Sequence, residues 1–266
     1  WDAPRMPTIF GLRRRGYTPA SLRLMAERTG ASKTNIWVGM DVLDGALRED
    51  LEGQAPRAMA VIDPVKLKLT NWSEVVTCHA PMHPQRPELG QRSFGFGPEL
   101  WIERDDFAEV PPKGFFRLFP GNKVRLKYGY VVECTGCEKD GAGKVSAVLA
   151  TVLPDTRSGT PGADAVKVKG TITWVGVHDA VAAELRLFER LFSEDQPDAD
   201  GRDFRSVLNP SSRRVVHGYV EPSLASCAAE TRLQFERHGY FVADRVDHVA
   251  GRPVFNRITG LKDGYK

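Results

Sequence analysis

The first 55 residues show the spacing of apolar positions that is typical of short helices. Thr8, Thr18 and Asp41 each stand at the start of such a run, where a side-chain oxygen can accept a hydrogen bond from the first turn. Gly16 and Gly30 follow the first two runs and are suited to end them. We therefore predict three short helices, each with one apolar face, that form a small helical subdomain over residues 1–55.

From Pro56 onward the pattern changes to an alternation of apolar and polar residues. Residues 65–70 alternate strictly, as a strand does when one face lies in a core and the other in water. Gly and Pro turns separate most of the similar runs, which favours antiparallel barrels over an alternating β/α fold. The predicted fold class is α+β, a helical subdomain followed by two antiparallel β-barrels. The similar runs are 100–102, 124–132, 145–153, 166–175, 215–220, 233–243 and 253–258.

Three segments lack any periodicity and are predicted to be long loops. They are residues 81–98, 154–165 and 193–212, the last two rich in Pro, Gly, Asp and Ser. Loops of this length usually carry function or are mobile. Binding residues can therefore be expected within them.

The composition is that of a soluble globular protein, with 41% apolar and 27% charged residues among 266. No apolar run approaches the roughly 20 residues that cross a bilayer, and the chain does not start with a signal peptide. We expect a cytoplasmic protein with no membrane partner. Cys134 and Cys137 have the spacing of half a zinc site, but no second pair of ligands follows, so no metal is predicted.

The net charge of +3 is too small to indicate a polyanion partner, so any nucleic-acid site must come from local clustering. Residues 113–130 contain five cations, five aromatic residues and no acid. In a strand, Lys123, Arg125 and Lys127 would share one face. Cations that neutralise phosphates beside rings that stack on bases are typical of single-strand binding, although basic strand faces also occur on barrels without a ligand.

No catalytic motif is present. The chain lacks a phosphate-binding glycine loop, a Gly-x-Ser-x-Gly elbow and a His-Glu-x-x-His sequence. His178 and Asp179 are adjacent, but neighbours on a strand point to opposite faces. We therefore predict no catalytic residue.

Four stretches carry a specific resemblance. The run from Trp1 to Tyr17, containing Trp-Asp-Ala-Pro-Arg-Met-Pro-Thr and Gly-Leu-Arg-Arg-Arg-Gly-Tyr, is similar to the sequence after the Met-Ser-Lys loop of glutaminyl-tRNA synthetases. Residues 48–66 resemble the passage from helical subdomain to first barrel in the same family. Residues 234–241 and 253–257 extend the resemblance almost to the last residue. The chain is thus similar to the C-terminal half of this family of class I enzymes.

The resemblance implies a domain organisation and a role. It implies a helical subdomain at 1–55, a proximal barrel made of 56–75 and 186–266, and a distal barrel at 76–185. Family members attach glutamine to its tRNA with ATP and Mg²⁺, in an N-terminal Rossmann domain that this chain lacks. The chain alone is therefore expected to bind tRNA-Gln as a monomer, without catalysis, cofactor, metal or DNA partner.

The resemblance also assigns roles to individual residues. Arg57 and Gln234 match the residues that recognise the middle anticodon base, a uracil. Arg117 matches an arginine at the third base, a guanine, whose O6 and N7 accept two parallel hydrogen bonds. Arg125 and Lys127 match an Arg-x-Arg pair at the first base.

Three more residues complete the expected RNA-binding set. Arg237 and Gln85 match residues near the anticodon loop, and Lys33 lies in a segment similar to a loop that touches the tRNA body. In a regular strand Gln234 and Arg237 would face opposite sides, so we expect a bulge or a strand end before Gly239.

The sequence departs from the family at three positions. Phe116 stands where the family often has lysine, and Gly114 replaces a nearby glutamine, so we expect softer discrimination at the third base. Lys127 replaces an arginine, and an ammonium cannot bind in two-pronged fashion as a guanidinium does. Two alternatives stay open: a glutamyl-tRNA synthetase of eukaryotic or archaeal type, and a binding barrel without nucleic-acid function.

Overall fold

The computed structural model describes residues 1–262 and groups the chain into two compact units. The first unit contains Trp1–Arg57, Glu184–Val216 and residues 227–262. The second contains Ala58–Ala183 and His217–Ser226. The division into three parts, with boundaries at 55, 75 and 185, stays a prediction.

Three helices occupy the start of the first unit: α1 (Ile9–Arg15), α2 (Pro19–Thr29) and α3 (Met40–Glu52). The predicted caps of the first two are confirmed, because the hydroxyls of Thr8 and Thr18 accept hydrogen bonds from Gly11 and Ser21. The cap predicted for the third was wrong. Gly39 holds that position, and Asp41 lies inside the first helical turn.

The reason for this difference is local crowding at the start of α3. The Asp41 carboxylate folds back over Gly39, and a Cβ atom at position 39 would lie 2.1 Å from its Oδ1. The carboxylate then lies near the positive end of the helix dipole, which it stabilises without acting as the cap.

The strands alternate with short turns along the rest of the chain. Within residues 1–262 they form two barrel-like sheets of seven strands each and one two-stranded hairpin, β4 with β5. This confirms the predicted helical subdomain followed by two barrels. The strands are β1 (Arg57–Ala58), β2 (Ala60–Val61), β3 (Pro64–Leu69), β4 (Val76–Pro81), β5 (Gln91–Phe96), β6 (Glu99–Glu103), β7 (Lys123–Leu126), β8 (Val131–Lys139), β9 (Val145–Leu153), β10 (Gly170–Ile172), β11 (Trp174–Gly176), β12 (Val181–Phe188), β13 (Arg213–Val220), β14 (Arg232–Phe235), β15 (Gly239–Ala243) and β16 (Val254–Thr259).

In the first unit the helices pack on the sheet. Antiparallel pairs join β14 to β15 and β15 to β16, and β12 runs parallel to β16. Leu12, Leu43 and Leu47 form one apolar cluster with Val242 and Ile258 of the strands. Burial of these side chains stabilises the unit by about 1.5–3 kcal/mol each. The apolar helix faces predicted from the sequence are therefore the faces that hold the helices against the sheet.

A buried charge network also stabilises the first unit. Asp244 is fully buried and accepts hydrogen bonds from Arg14 Nε at 3.0 Å and from Asn256. Asp247 accepts from Arg14 and from Arg186, at 2.9 and 2.7 Å. Burial raises the pKa of the Asp244 carboxyl, but the hydrogen bonds from Arg14, from backbone N–H groups and from Asn256 outweigh this and lower it to about 2.

The second unit contains the other sheet, in the order β10-β7-β8-β9-β3-β6-β11. Its apolar core includes the fully buried Phe96 and Trp174, whose rings meet edge to face 5.3 Å apart. Arg92 and Glu221 form an ion pair at 2.8 Å inside this unit, with side chains 1% and 0% exposed. The Glu221 carboxylate also accepts a hydrogen bond from the backbone N–H of Met59. The buried carboxylate therefore has both a cationic partner and a backbone donor.

The predicted strands differ from the observed ones mainly where a turn interrupts an alternating run. Residues 124–132 divide into β7 and β8, residues 166–175 contain β10 and β11, and residues 233–243 divide into β14 and β15. In each run a few residues between two strands were counted as part of one long strand.

Two further expectations were wrong. The segment 81–98 was expected to be a loop throughout, yet it contains β5, whose glycine and three polar residues hide the alternation. The barrels are not purely antiparallel either. The pairs β3 with β9, β7 with β10 and β12 with β16 run parallel, because long connections separate their members and allow the chain to return in the same direction.

Among residues 1–262, no helix has both the length and the hydropathy needed to cross a membrane. Across the same residues, no group of three His, Cys, Asp or Glu side chains could hold a metal ion.

Candidate nucleic-acid interface

A cavity of about 520 Å³ in the first unit brings together two of the predicted site residues. Arg57 in β1 and Gln234 in β14 both line it, although 176 residues lie between them in the sequence. Its volume lies within the range of sites that hold small organic groups, about 300–1,000 Å³. The other lining residues are Gly45, Arg48, Glu49, Glu52, Tyr240 and Leu261.

Backbone pairing places these two residues side by side. The Gln234 N–H donates a hydrogen bond to the Pro56 carbonyl at 2.8 Å, which fixes Arg57 next to β14. In β14 the side chains of Leu233 and Phe235 are buried, so Gln234 takes the opposite face. Strand alternation thus presents the amide of Gln234 to the cavity.

The two terminal nitrogens of the Arg57 guanidinium have different surroundings. Its Nη2 donates to the Glu52 carbonyl at 3.3 Å, a contact with the last turn of α3. Its Nη1 is buried and has no hydrogen-bond partner among the described residues. A buried donor without an acceptor is costly and rare, so the described residues leave one hydrogen bond of this guanidinium unmade.

Helix α3 supplies one wall that sequence reasoning missed. Gly45, Arg48, Glu49 and Glu52 all line the cavity. They recur three or four residues apart, so they share one face of the helix. This spacing was visible in the sequence, but nothing in it showed that the face borders Gln234.

Arg237 lies at the turn between β14 and β15 and not on a strand. β14 ends at Phe235, and Arg237 has a left-handed backbone conformation with φ of +74°. The His238 N–H donates to the Phe235 carbonyl at 3.0 Å and closes the turn. The strand end predicted before Gly239 is therefore confirmed. Arg237 is exposed and is not among the residues that line the cavity.

Lys33 and Gln85 lie on connections that are exposed. Lys33 is on the segment between α2 and α3, in the first unit. Gln85 is on the connection between β4 and β5, in the second unit, where its backbone N–H donates to His83 Nδ1 at 3.1 Å. Neither residue belongs to the cavity that holds Arg57.

Arg125, in β7 of the second unit, is surrounded by acceptors from its own unit. Its Nη1 donates to the Thr156 carbonyl at 2.9 Å and to Ser158 Oγ at 3.2 Å. Its Nη2 donates to the Ala163 carbonyl. The guanidinium therefore fastens the long segment 154–165 to the sheet.

The predicted basic stripe holds only as far as β7 extends. Lys123 and Arg125 alternate with the buried Val124 and Leu126, as predicted. Lys127 lies just after the strand, and its Nζ is 5.3 Å from the centre of the Tyr128 ring. It is therefore not part of the strand face that was expected to carry three cations.

Arg117 is anchored by a buried acid. Its Nε lies 3.2 Å from Oδ1 of Asp106, a residue with no exposed surface, and its Nη1 donates to the Asp105 carbonyl at 3.2 Å. The side chain of Arg117 remains 44% exposed. Its position is thus fixed while part of the guanidinium stays available to solvent.

Comparisons with known proteins give matches along the whole chain. Two family models, each described as "tRNA synthetases class I (E and Q), anti-codon binding domain", match residues 55–152 and 171–244. The chain is 60% identical to a glutamine–tRNA ligase of Ralstonia pickettii, over all of this chain and 46% of that protein. It is 59% identical to one of Cupriavidus metallidurans and 54% identical to one of Bordetella pertussis, with the same coverage. The chain spans somewhat less than half the length of these relatives.

Proposed function

We propose, because the chain belongs to the class I tRNA synthetases (E and Q) and forms their anticodon-binding part, that it binds glutamine tRNA and reads the anticodon. The observation that supports this most directly is the pairing of Arg57 and Gln234 on one cavity, with the Arg57 Nη1 unpartnered.

The chemistry of this pair suits the middle base, a uracil. Uracil offers carbonyl acceptors and one imino donor. Arg57 Nη1 would donate to a carbonyl, and the Gln234 side chain can both donate and accept. Since bases of a stacked anticodon loop cannot reach such a cavity, the base must be turned out of the stack to enter it.

The second unit would contact the other two bases. Arg117, which is anchored to Asp106, can offer its exposed edge to O6 and N7 of a guanine at the third base. At the first base, the hydrogen bonds of Arg125 are directed to the segment 154–165, so Arg125 would add little to binding. Lys127 would contribute mainly charge, because an ammonium cannot bind in two-pronged fashion. We therefore expect stricter reading of the middle base than of the first. Arg237, Gln85 and Lys33 would contact the RNA outside these three bases.

For the longer protein we propose the activity of its relatives. It would attach glutamine to tRNA-Gln with ATP and Mg²⁺, and the chemistry would reside in a part outside this chain. The chain alone would act as a monomeric, cytoplasmic binding module that needs no cofactor.

The test is binding of this chain to an anticodon stem-loop, measured by fluorescence anisotropy at two salt concentrations. Replacing the middle uracil with cytosine should weaken binding to the wild-type chain by roughly 10- to 100-fold. Arg57→Ala should lose about 1–3 kcal/mol of binding free energy and should bind both RNAs equally.

A matched control is Arg252→Ala, which removes an exposed arginine of the same unit away from the cavity. It should bind like wild type and keep the preference for uracil. Replacing the third-base guanine with cytosine turns the glutamine anticodon into a glutamate anticodon. Binding of this RNA shows which of the two anticodons the chain prefers. Equal affinity of the wild-type chain for all of these RNAs would contradict the proposal.

A further inference from the structure

Phe116 is an exposed aromatic ring that no assigned role explains. It precedes Arg117 and is 51% exposed. Among residues 1–262 it has no aromatic partner, whereas the neighbouring Phe115 contacts Phe119. Its one ring contact is with Lys169, whose Nζ lies 5.3 Å from the ring centre. An apolar ring is thus presented to solvent with a cation beside it.

The backbone under this ring is fixed. Gly170 packs so closely on the Phe116 carbonyl that a Cβ atom at position 170 would lie 1.9 Å from the oxygen. Gly170 begins β10, which pairs with β7 through Val124. Phe116 and Lys169 are therefore attached to the same sheet edge, and the ring is not at the tip of a free loop.

The charge around the ring is positive. Lys113, Lys167 and Lys169 are exposed and form no ion pair with any residue in the described part of the chain. Of the acids nearest in sequence to Arg117, Asp106 is engaged with its guanidinium and Glu109 pairs with Lys139. An exposed ring bordered by unneutralised lysines is complementary to an unpaired base and its phosphate, since the ring can stack and the ammonium groups attract the anion.

We propose that Phe116 and Lys169 form a stacking platform for one unpaired nucleotide of the RNA, next to Arg117. The ring stacks against the base, and the Lys169 ammonium neutralises the adjoining phosphate. This inference rests on the proposed function and adds two residues to it. It also gives Phe116 a role of its own at a position where the family often has lysine.

The experiment uses anticodon stem-loops that carry 2-aminopurine at one of the three anticodon positions, since stacking on a ring changes its fluorescence. The chain should change the signal at one position more than at the other two. Phe116→Ala should abolish that change and weaken binding roughly 5- to 100-fold. Phe116→Trp should restore both. Phe204→Ala is a matched control, because Phe204 is also 51% exposed but lies in the first unit.

The role of the cation is tested by salt dependence. Lys169→Gln should reduce the slope of log affinity against log salt by about 0.7, the value for one phosphate contact on a single strand. Lys144→Gln removes another exposed lysine of the same unit, at the turn between β8 and β9, and should leave the slope unchanged.

The outcomes separate this inference from the proposed function. If the wild-type chain binds none of the RNAs, both fail. If the wild-type chain binds and Arg57→Ala weakens it, but Phe116→Ala binds and fluoresces like Phe204→Ala, the platform alone is overturned. A loss with Phe116→Ala that Phe116→Trp restores supports it.

Discussion

Arg57 in the first unit and Arg125 in the second are both arginines on short strands, and the resemblance assigned both of them to anticodon recognition. The structure surrounds them differently. Arg57 donates one hydrogen bond to a backbone carbonyl and keeps Nη1 buried and unpartnered. Arg125 donates to the Thr156 and Ala163 carbonyls and to the Ser158 hydroxyl.

This difference separates binding from structural support. An arginine with a buried donor that has no partner would gain a hydrogen bond if a ligand supplied an acceptor. An arginine whose donors are already satisfied must break internal bonds before it can bind RNA, so its net contribution to affinity is smaller. Loss of Arg125 should therefore affect stability first, and loss of Arg57 should affect binding first.

The largest expected effect is on the stability of the second unit. Arg125→Ala should lower the free energy of unfolding by about 3 kcal/mol, because it removes two or three charge-assisted hydrogen bonds to the segment 154–165. Arg57→Ala should lower it by less than about 1 kcal/mol. Urea denaturation of both variants measures this, with RNA affinity recorded on the same samples.

Arg125→Lys is the control for charge, since lysine keeps the cation but not the planar fork. It should recover less than half of the lost stability. If Arg125→Ala unfolds like wild type but binds RNA as weakly as Arg57→Ala, then Arg125 is a ligand of the RNA and the contrast with Arg57 is wrong.

A second prediction concerns acid sensitivity of the first unit. The pKa of Asp244 is lowered to about 2, so its contribution to stability is complete above the unfolded value of about 3.9 and is lost as the pH falls towards 2. The contribution is about 2 kcal/mol. Asp244→Asn should therefore be less stable than wild type at pH 7, and the difference in unfolding free energy should narrow between about pH 4 and pH 2.

Asp247→Asn provides the comparison, because Asp247 binds the same arginines but its side chain is 40% exposed. Its effect at pH 7 should be smaller. A constant difference between wild type and Asp244→Asn over the whole pH range would show that the carboxylate is not stabilised by this network.

The smallest expected effect is that of Lys123. This exposed side chain lies 3.4 Å from Glu133, so part of its charge is already balanced. Lys123→Ala should weaken RNA binding about two- to threefold at 0.15 M salt and lower the salt slope by about 0.7. The loss should be equal for all anticodon variants, unlike that of Arg57→Ala. A change in base preference would contradict a purely electrostatic role.

Local signals in the sequence were sufficient for much of the fold. The hydroxyls of Thr8 and Thr18 cap helices because capping needs only a side chain and the next three residues. The strict alternation of residues 65–70 is reproduced by the burial pattern of β3. These features depend on neighbours in the chain, and periodicity reports them directly. Gly39, which replaced Asp41 as a cap, depends on a crowding that composition does not reveal.

The candidate site was only partly accessible in the same way. Sequence resemblance pointed to Arg57, Gln234 and Arg117, and to the family that the comparisons support. It could not show that Arg57 keeps an open donor while Arg125 is enclosed by the segment 154–165. Nor could it show that Lys169 lies beside Phe116. Those facts depend on which distant segments meet.

The amino-acid order therefore fixes what each short stretch prefers, namely the helix starts, the alternating strands, and the supply of arginines and aromatic rings. The folded chain decides which of those groups form contacts within the protein and which remain available to a ligand. The reason is physical: propensity and capping act over a few residues, whereas satisfaction of a guanidinium is settled by carbonyls tens of positions away that only the closed sheets bring within 3 Å.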